Sequence, residues 1–457
     1  MVSLLETIFK GCTIWKRRRM MTLSRAKAVI ILLLAALTIY QTGVLWFVNI
    51  TNRNFLLNYF PFMQQAIIPE GLERLVTPWR IITVHGDGRF SVQYNGLVQS
   101  NFERYSDIVL SHLLQRGRFI SVGQLDYETL LAEPAYIYEY AFPMEAEWFT
   151  LGFGQRGGLL TAQGMAPFRQ VIIRPPAYGD INAHVFFLCE NGYAYEFTVA
   201  PLGEGDGRDT FDHAVSPEAS GAYYIFVDLP GGGGFIRHGE FAFYGVRVTN
   251  PYADIHGGLS LNFVQGQVAG FFSNPAVIRP IPGEDVWVYR DVNTVVRYYG
   301  TNVLEYISYR AIDRSGISSF VNDYAAAIHF LERDHLVINE AYLADFREEY
   351  GQRIFYFNYV IGDIPLIMPQ NWPRGSQLSH PVIITVDHGI VVRYRKLAYN
   401  FHIDEETRMV ARADFYNLAN RLGEGFTDVR MGYRMANQYI NNVTWFVDGL
   451  VFSLADN

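Results

Sequence analysis

An α+β protein with one membrane-spanning helix ahead of a multi-domain ectodomain is what the sequence predicts, on three observations. Residues 28–48 form an uncharged apolar run. Beyond it the chain breaks into short strands that alternate apolar and polar residues between turn residues. Scattered among those strands are stretches whose apolar residues recur every three or four positions, the helical period. Helices mixed with antiparallel hairpins indicate α+β architecture, with helices packed on antiparallel sheets.

As a helix the run Ala28 to Val48 would be ~32 Å long at ~1.5 Å per residue, which matches a hydrocarbon core of ~30 Å. No small-residue cleavage site follows it, so it reads as a retained signal-anchor. The only cysteine near it, Cys12, precedes the run, which excludes a lipoprotein anchor. Residues 1–27 form a basic stub with Lys10, Lys16, Arg17, Arg18, Arg19, Arg25 and Lys27 against Glu6 alone. The positive-inside rule keeps that stub cytoplasmic and places residues from about 49 to 457 outside the cell membrane. Met20 and Met21 are alternative starts. Beyond the stub, 30 of the chain's 37 Lys and Arg face 44 of its 45 Asp and Glu, a net of −14. Such a surface repels nucleic acid and anionic headgroups. Cys12 and Cys189 lie on opposite sides of the membrane, so no intrachain disulfide forms.

In chain order, RIITVHGDGRFSVQY (80–94) reads as a hairpin and 102–114 as a helical stripe. YETLLAEPAYIYEYAF (127–142) reads as a short helix stopped by Pro134, then a strand. These make a first α+β unit over 49–145. A β-rich middle region over 146–270 holds QVIIRPP and VFFLCENGYAYEFTV, where Asn191-Gly192 signals a type I′ turn. The C-terminal α+β domain, 271–457, opens with a hairpin in WVYRDVNTVVRYYG. ISSFVNDYAAAIHFL places apolar residues at 317, 320, 321, 324, 328 and 331, an amphipathic helix. Strands RIFYFNYVI, VIITVDHGIVVRYRKL and TWFVDGLVFSL follow, with a helix near 413–422.

Catalytic patterns are absent from their usual spacings. Lys396 is the one exported lysine and Arg393 stands three before it, so there is no Ser-x-x-Lys pair. Gly258-Leu-Ser260-Leu-Asn262 lacks the last glycine of a nucleophile elbow, and FVQGQV after it reads as strand. His329, Glu332 and His335 miss the spacing of a His-Glu-x-x-His zinc helix. His402 with Asp404, Glu405 and Glu406 reads as an acidic helix N-terminus. Gly231–Gly234 lacks the ending of a phosphate loop. No catalytic residue, cofactor or metal is assigned, and the chain reads as non-enzymatic. A surface-anchored cell-wall enzyme and a glycan- or ligand-binding module stand as alternatives.

The anchor carries the best-placed candidate site. Ala35, Thr38, Gln41, Thr42 and Leu45 share one helical face. Small residues admit a neighbouring helix, and an intramembrane amide is costly without a partner. That face suits docking against another membrane helix.

The order of features resembles the YycH/YycI family. The resemblance rests on the anchor, on YETLLAEPAYIYEYAFPM, and on GFFSNPAVIRPIPGEDVWVYRDVNTVVRYYGTNVLEYIS. It continues through YLADFREEYGQRIFYFNYVIGDIPLI, VIITVDHGIVVRYRK and DVRMGYRMANQYINNVTWFVDGLVFSL, with 271–457 reading as YycI-like. It implies a Gram-positive, extracytoplasmic, single-pass regulator of a two-component system without catalysis. Its implied partners are the WalK sensor histidine kinase, which controls cell-wall metabolism, and a sister YycH/YycI-type regulator forming a hetero-oligomer.

Overall fold

The computed structural model of the 457-residue chain describes Thr38 and most of residues 71–453; residues 1–37, 39–70, 95–108, 200–222, 251–260, 369–377 and shorter breaks fall outside the described residues. By contacts the chain divides into Met1–Ile67 and a compact unit, Ile68–Asn457, that holds every sheet. The expected anchor segment, residues 28–48, lies outside the described residues except for Thr38, which is helical and exposed. Among the described residues no helix is long and apolar enough to cross a membrane.

Two large sheets carry the unit, and their strands are the alternating segments of the sequence. The first has eleven strands. Arg80–Val84 pairs with Phe90–Tyr94 on one side and Ala135–Met144 on the other. From Ala135–Met144 the sheet runs through Phe168–Arg174, Ala183–Cys189 and Tyr193–Val199 to Arg118–Gln124. Beyond Phe90–Tyr94 it continues through Tyr223–Val227 and Gly234–Thr249 to Asn400–Ala413, and Tyr439–Ile440 also pairs with Gly234–Thr249. Both faces of its central strands are covered, while Arg118–Gln124 at one edge is exposed. Tyr136, Tyr138 and Tyr140 enter the main core, while Ala135 and Ile137 enter a smaller cluster with Leu130 and Leu131, as the two-residue period of a strand requires. Gly152 ends the helix Ala146–Gly152 where a Cβ would come within 2.2 Å of Val76 Cγ1, so only glycine admits the helix Glu73–Val76 so closely.

The second sheet has twelve strands. It runs from Arg279–Pro282 through Val286–Arg290, Thr294–Tyr299 and Val303–Ser308 to Ile390–Leu397, Val382–Asp387 and Gln352–Ile361. Ala341–Glu349 flanks Gln352–Ile361, and the far end is built by Ile364–Ile367, Val429–Arg434, Val443–Val447 and Leu450–Ser453. Every pairing in the two sheets is antiparallel except that of Ile364–Ile367 with Val429–Arg434.

Three local readings change. His402 through Glu406 do not start a helix; they lie in the strand Asn400–Ala413, paired with Gly234–Thr249 through an irregularity at 404–408. Asp404 accepts from Glu406 N–H and Thr407 Oγ1, which turns the acidic cluster into a bulge. FVQGQV is helix, within Leu261–Val268, because its buried Val264 and Val268 fall four apart on one face. The Asn191-Gly192 loop has three residues, 190–192, with only Gly192 at positive φ (78°). That makes it a turn with a glycine bulge rather than type I′. True two-residue turns with both φ positive occur at Tyr350-Gly351 and His388-Gly389.

The helix Phe320–Glu332 forms as its apolar spacing predicts. Phe320, Val321, Tyr324, Ile328 and Leu331 are all buried, and Ser319 caps the first turn by accepting from Asn322 N–H at 3.2 Å. It lies on the inner face of strands Gln352–Ile361, Val382–Asp387 and Ile390–Leu397. Rings interlock across that contact: Tyr324 with Phe355 at 5.8 Å and Phe330 with Tyr394 at 5.2 Å. Trp148, from the first half of the chain, stacks on Phe320 at 3.7 Å.

Each end of this helix is also tied to the sheet by a buried carboxylate. Near its start Asp323, fully buried, accepts from Gly389 N–H at 2.7 Å, from Ser318 Oγ at 2.9 Å and from Arg353 Nη1 at 2.5 Å. Just past its end Asp334 accepts from Tyr394 OH at 2.7 Å and pairs with Lys396 Nζ at 2.5 Å. Burial pulls the Lys396 ammonium below the ordinary lysine range, against the pull of Asp334. Lys396→Met alone strands a buried carboxylate, and its expected cost is about 3–5 kcal/mol. Lys396→Met with Asp334→Asn keeps an acceptor for Tyr394, and most of that loss should return in urea unfolding of the full chain. Equal losses for the single and double variants would contradict the pairing.

Candidate functional site

Strands that bury one face leave the other to present side chains. Along Thr294–Tyr299, Val303–Ser308 and Ile390–Leu397, the residues Val296, Tyr298, Leu304, Tyr306, Tyr394 and Lys396 point to the core. Their neighbours Arg297, Tyr299, Glu305, Arg393 and Arg395 share the opposite face, with Arg297 opposite Glu305 and Glu305 opposite Arg395.

Glu305 is the centre of this group and is only 3% exposed. Its Oε1 accepts from Arg393 Nε at 2.9 Å and also from Arg393 Nη2. Its Oε2 accepts from Tyr299 OH at 2.8 Å and Arg297 Nη1 at 3.2 Å. Burial pushes the carboxyl up, but the hydrogen bonds from Arg393 and Tyr299 and the arginine charges outweigh it and hold Glu305 below the usual range. Tyr299, half-buried and donating to that carboxylate, is pushed up by its partial burial and by that bond. Arg395 is drawn down by burial and by the neighbouring Arg393. Two guanidiniums thus share one carboxylate with Arg395 opposite it on the next strand, and Arg393 is half exposed. Positive charge left over on a face beside aliphatic side chains binds anionic groups by forked hydrogen bonds.

Other titratable groups serve the fold. His388 Nδ1 lies 2.6 Å from Asp387 Oδ1, and Gln352 donates to the other carboxylate oxygen at 3.2 Å. That pair sits on the turn whose Gly389 holds Asp323. His329 and Glu332 lie 3.5 Å apart and are 77% and 45% exposed, an ordinary surface pair. His402 contacts Thr249 Oγ1 at 3.1 Å. Cys189 is free and buried, and burial raises its thiol to about 11. Among the described residues no group of three or more His, Cys, Asp or Glu is placed to hold a metal. A small cleft of about 80 Å³ opens between the sheets beside Trp79, Tyr324 and Tyr342, with room for ordered waters.

Of the face expected to dock a partner helix, Ala35, Gln41, Thr42 and Leu45 lie outside the described residues, as do Ser260 and His335. The arginine face went unread in the sequence. Arg393 and Arg395 alternate visibly in VVRYRKL, but their meeting with Glu305 spans 88 positions and depends on strand register.

Comparison with known proteins adds the fold's relative. No family model matches the chain, and no curated protein does. Among solved structures, the crystal structure of YycH from Bacillus subtilis matches with a TM-score of 0.56 at 10% identity, covering 85% of this chain and 98% of that one. The chain has the YycH fold. The likeness runs through both sheets rather than through one motif, as coverage of that extent requires. It supports the YycH side of the sequence resemblance; the YycI-like reading of 271–457 gains nothing from it.

Because its folded-state acidity is strengthened, Glu305 contributes stability that is present above its unfolded value of ~4.3 and lost as pH falls through its lower folded value. Glu305→Gln should therefore flatten the acid limb of a stability-against-pH curve. An unchanged acid limb would show that the arginines do not hold this carboxylate ionised.

Proposed function

We propose that this chain is a membrane-anchored, non-enzymatic regulator that binds a two-component sensor histidine kinase and biases its signalling state, with an effect on cell-wall metabolism. The observation that carries the reading is the YycH fold over 85% of the chain, joined to the sequence resemblance to regulators of WalK. In this reading residues 1–27 are cytoplasmic, 28–48 anchor the protein and 49–457 work outside the membrane. The face Ala35, Thr38, Gln41, Thr42 and Leu45 packs against kinase helices, and a sister regulator shares the ectodomain. A binder shifts a kinase between states only by its difference in affinity for them. The buried carboxylates Asp323, Asp334 and Glu305 suit this role, since each is held by cations that fix helices or strands.

Co-purification of the intact protein with a sensor kinase from membranes is the direct test. Thr38→Leu/Gln41→Leu should insert normally and lose kinase association by roughly tenfold, the order of one or two intramembrane hydrogen bonds at ~0.6–1.7 kcal/mol each. Wild-type association in that variant would remove the helix face from the account. Peptidoglycan hydrolysis by the purified chain would replace the regulatory reading with that of a wall enzyme.

A further inference from the structure

The outer face of the second sheet extends beyond Glu305, and the register shows its pattern. One row across the strands runs Arg290, Val295, Ile307, Arg393. Past Thr385 it ends at Ile354 and Arg347. The next row runs Val288, Arg297, Glu305, Arg395, Ile383 and then reaches Tyr356 and Asp345. Five arginines thus stand on these rows against two carboxylates, Glu305, held by Arg297 and Arg393, and Asp345, which lies 3.8 Å from Arg347. Val288, Val295, Ile307, Ile354 and Ile383 lie between them, half-buried. Arg290, Arg393 and Arg347 are exposed.

We infer that this face docks an extended acidic segment of a partner protein, one that alternates carboxylates with aliphatic side chains. Charge complementarity decides the sign. In an exported region of net −14, this is a surface where cations outnumber anions, so an acidic partner repelled elsewhere is admitted here. The aliphatic residues decide the class. A phosphate polymer would use the guanidiniums and leave Val288, Val295, Ile307 and Ile383 in water. A peptide with apolar residues two apart would cover them while its carboxylates met the arginine forks. The inference deepens the regulatory reading and rests on it only in taking a protein as the occupant.

The test uses the full chain in phosphatidylcholine nanodiscs and a fluorescent eight-residue peptide alternating Glu and Val, read by anisotropy at two salt concentrations. Binding is expected to weaken about tenfold in Arg393→Gln/Arg395→Gln, with much of its salt dependence gone, as loss of charge-assisted pairs requires. Since that variant disturbs Glu305, Arg290→Gln/Arg347→Gln at the row ends provides a second measurement and should weaken the peptide about threefold by the same principle. Unchanged binding in both variants would overturn the inference. So would an equally tight Glu-Ser peptide, or tighter binding of inorganic polyphosphate or phosphatidylglycerol vesicles, which would assign the face to phosphates. The peptide is measured without a kinase, so its failure removes this face and leaves the regulatory reading to its own co-purification test.

Discussion

One helix, Phe320–Glu332, clamped to a sheet at both ends by buried carboxylates, is the constraint on which the second half of the fold depends. The two ends are electrostatically different. Asp323 sits in the first turn, where a negative charge is favoured by the helix dipole, while Asp334 follows the last turn, where it is opposed. Lys396 offsets that opposition and Tyr394 shares the carboxylate. It is the one lysine beyond the stub, and it is spent in the core at 1% exposure. A hydrophobic pair of similar volume could be as stable. What the ion pair adds is register, because Asp334 meets its cation only when the helix ends opposite Lys396.

The same short run of sequence also builds the outer face. In Arg393-Tyr394-Arg395-Lys396 the even positions hold the helix and the odd positions carry charge outward. Inner packing and outer chemistry are therefore coupled through one strand. A change that slipped its register by one residue would bury two arginines and expose Tyr394 and Lys396 together. Such coupling gives a binding surface the rigidity that a partner needs in order to read it, since side chains fixed on strands lose less entropy on binding than those on loops.

Much of this was legible in the sequence. The 3.6-residue period of ISSFVNDYAAAIHFL and the alternation in RIFYFNYVI and VIITVDHGIVVRYRKL gave the helix and its sheet. Turn residues gave the hairpins, and the ordered motifs gave a resemblance whose fold the YycH comparison supports. Failures came where a local signal lost to pairing partners far away in sequence. Asp404, Glu405 and Glu406 looked like a helix start but lie beside Gly234–Thr249 in a sheet. FVQGQV looked like a strand, yet Val264 and Val268 share a buried helical face. The arginine face needed the register of strands some 90 residues apart, which composition and period do not contain. Nothing local to Asp323 and Asp334 announces that Arg353 and Lys396 arrive from strands to meet them.

Native-state hydrogen exchange on the full chain tests the central constraint most directly. If the clamp makes helix and sheet one cooperative body, the amides of Phe320–Glu332 open only with global unfolding, at the same free energy as those of Val382–Asp387 and Ile390–Leu397. Exchange of the helix amides at a clearly lower free energy than the strands, with the sheet still protected, would contradict the account.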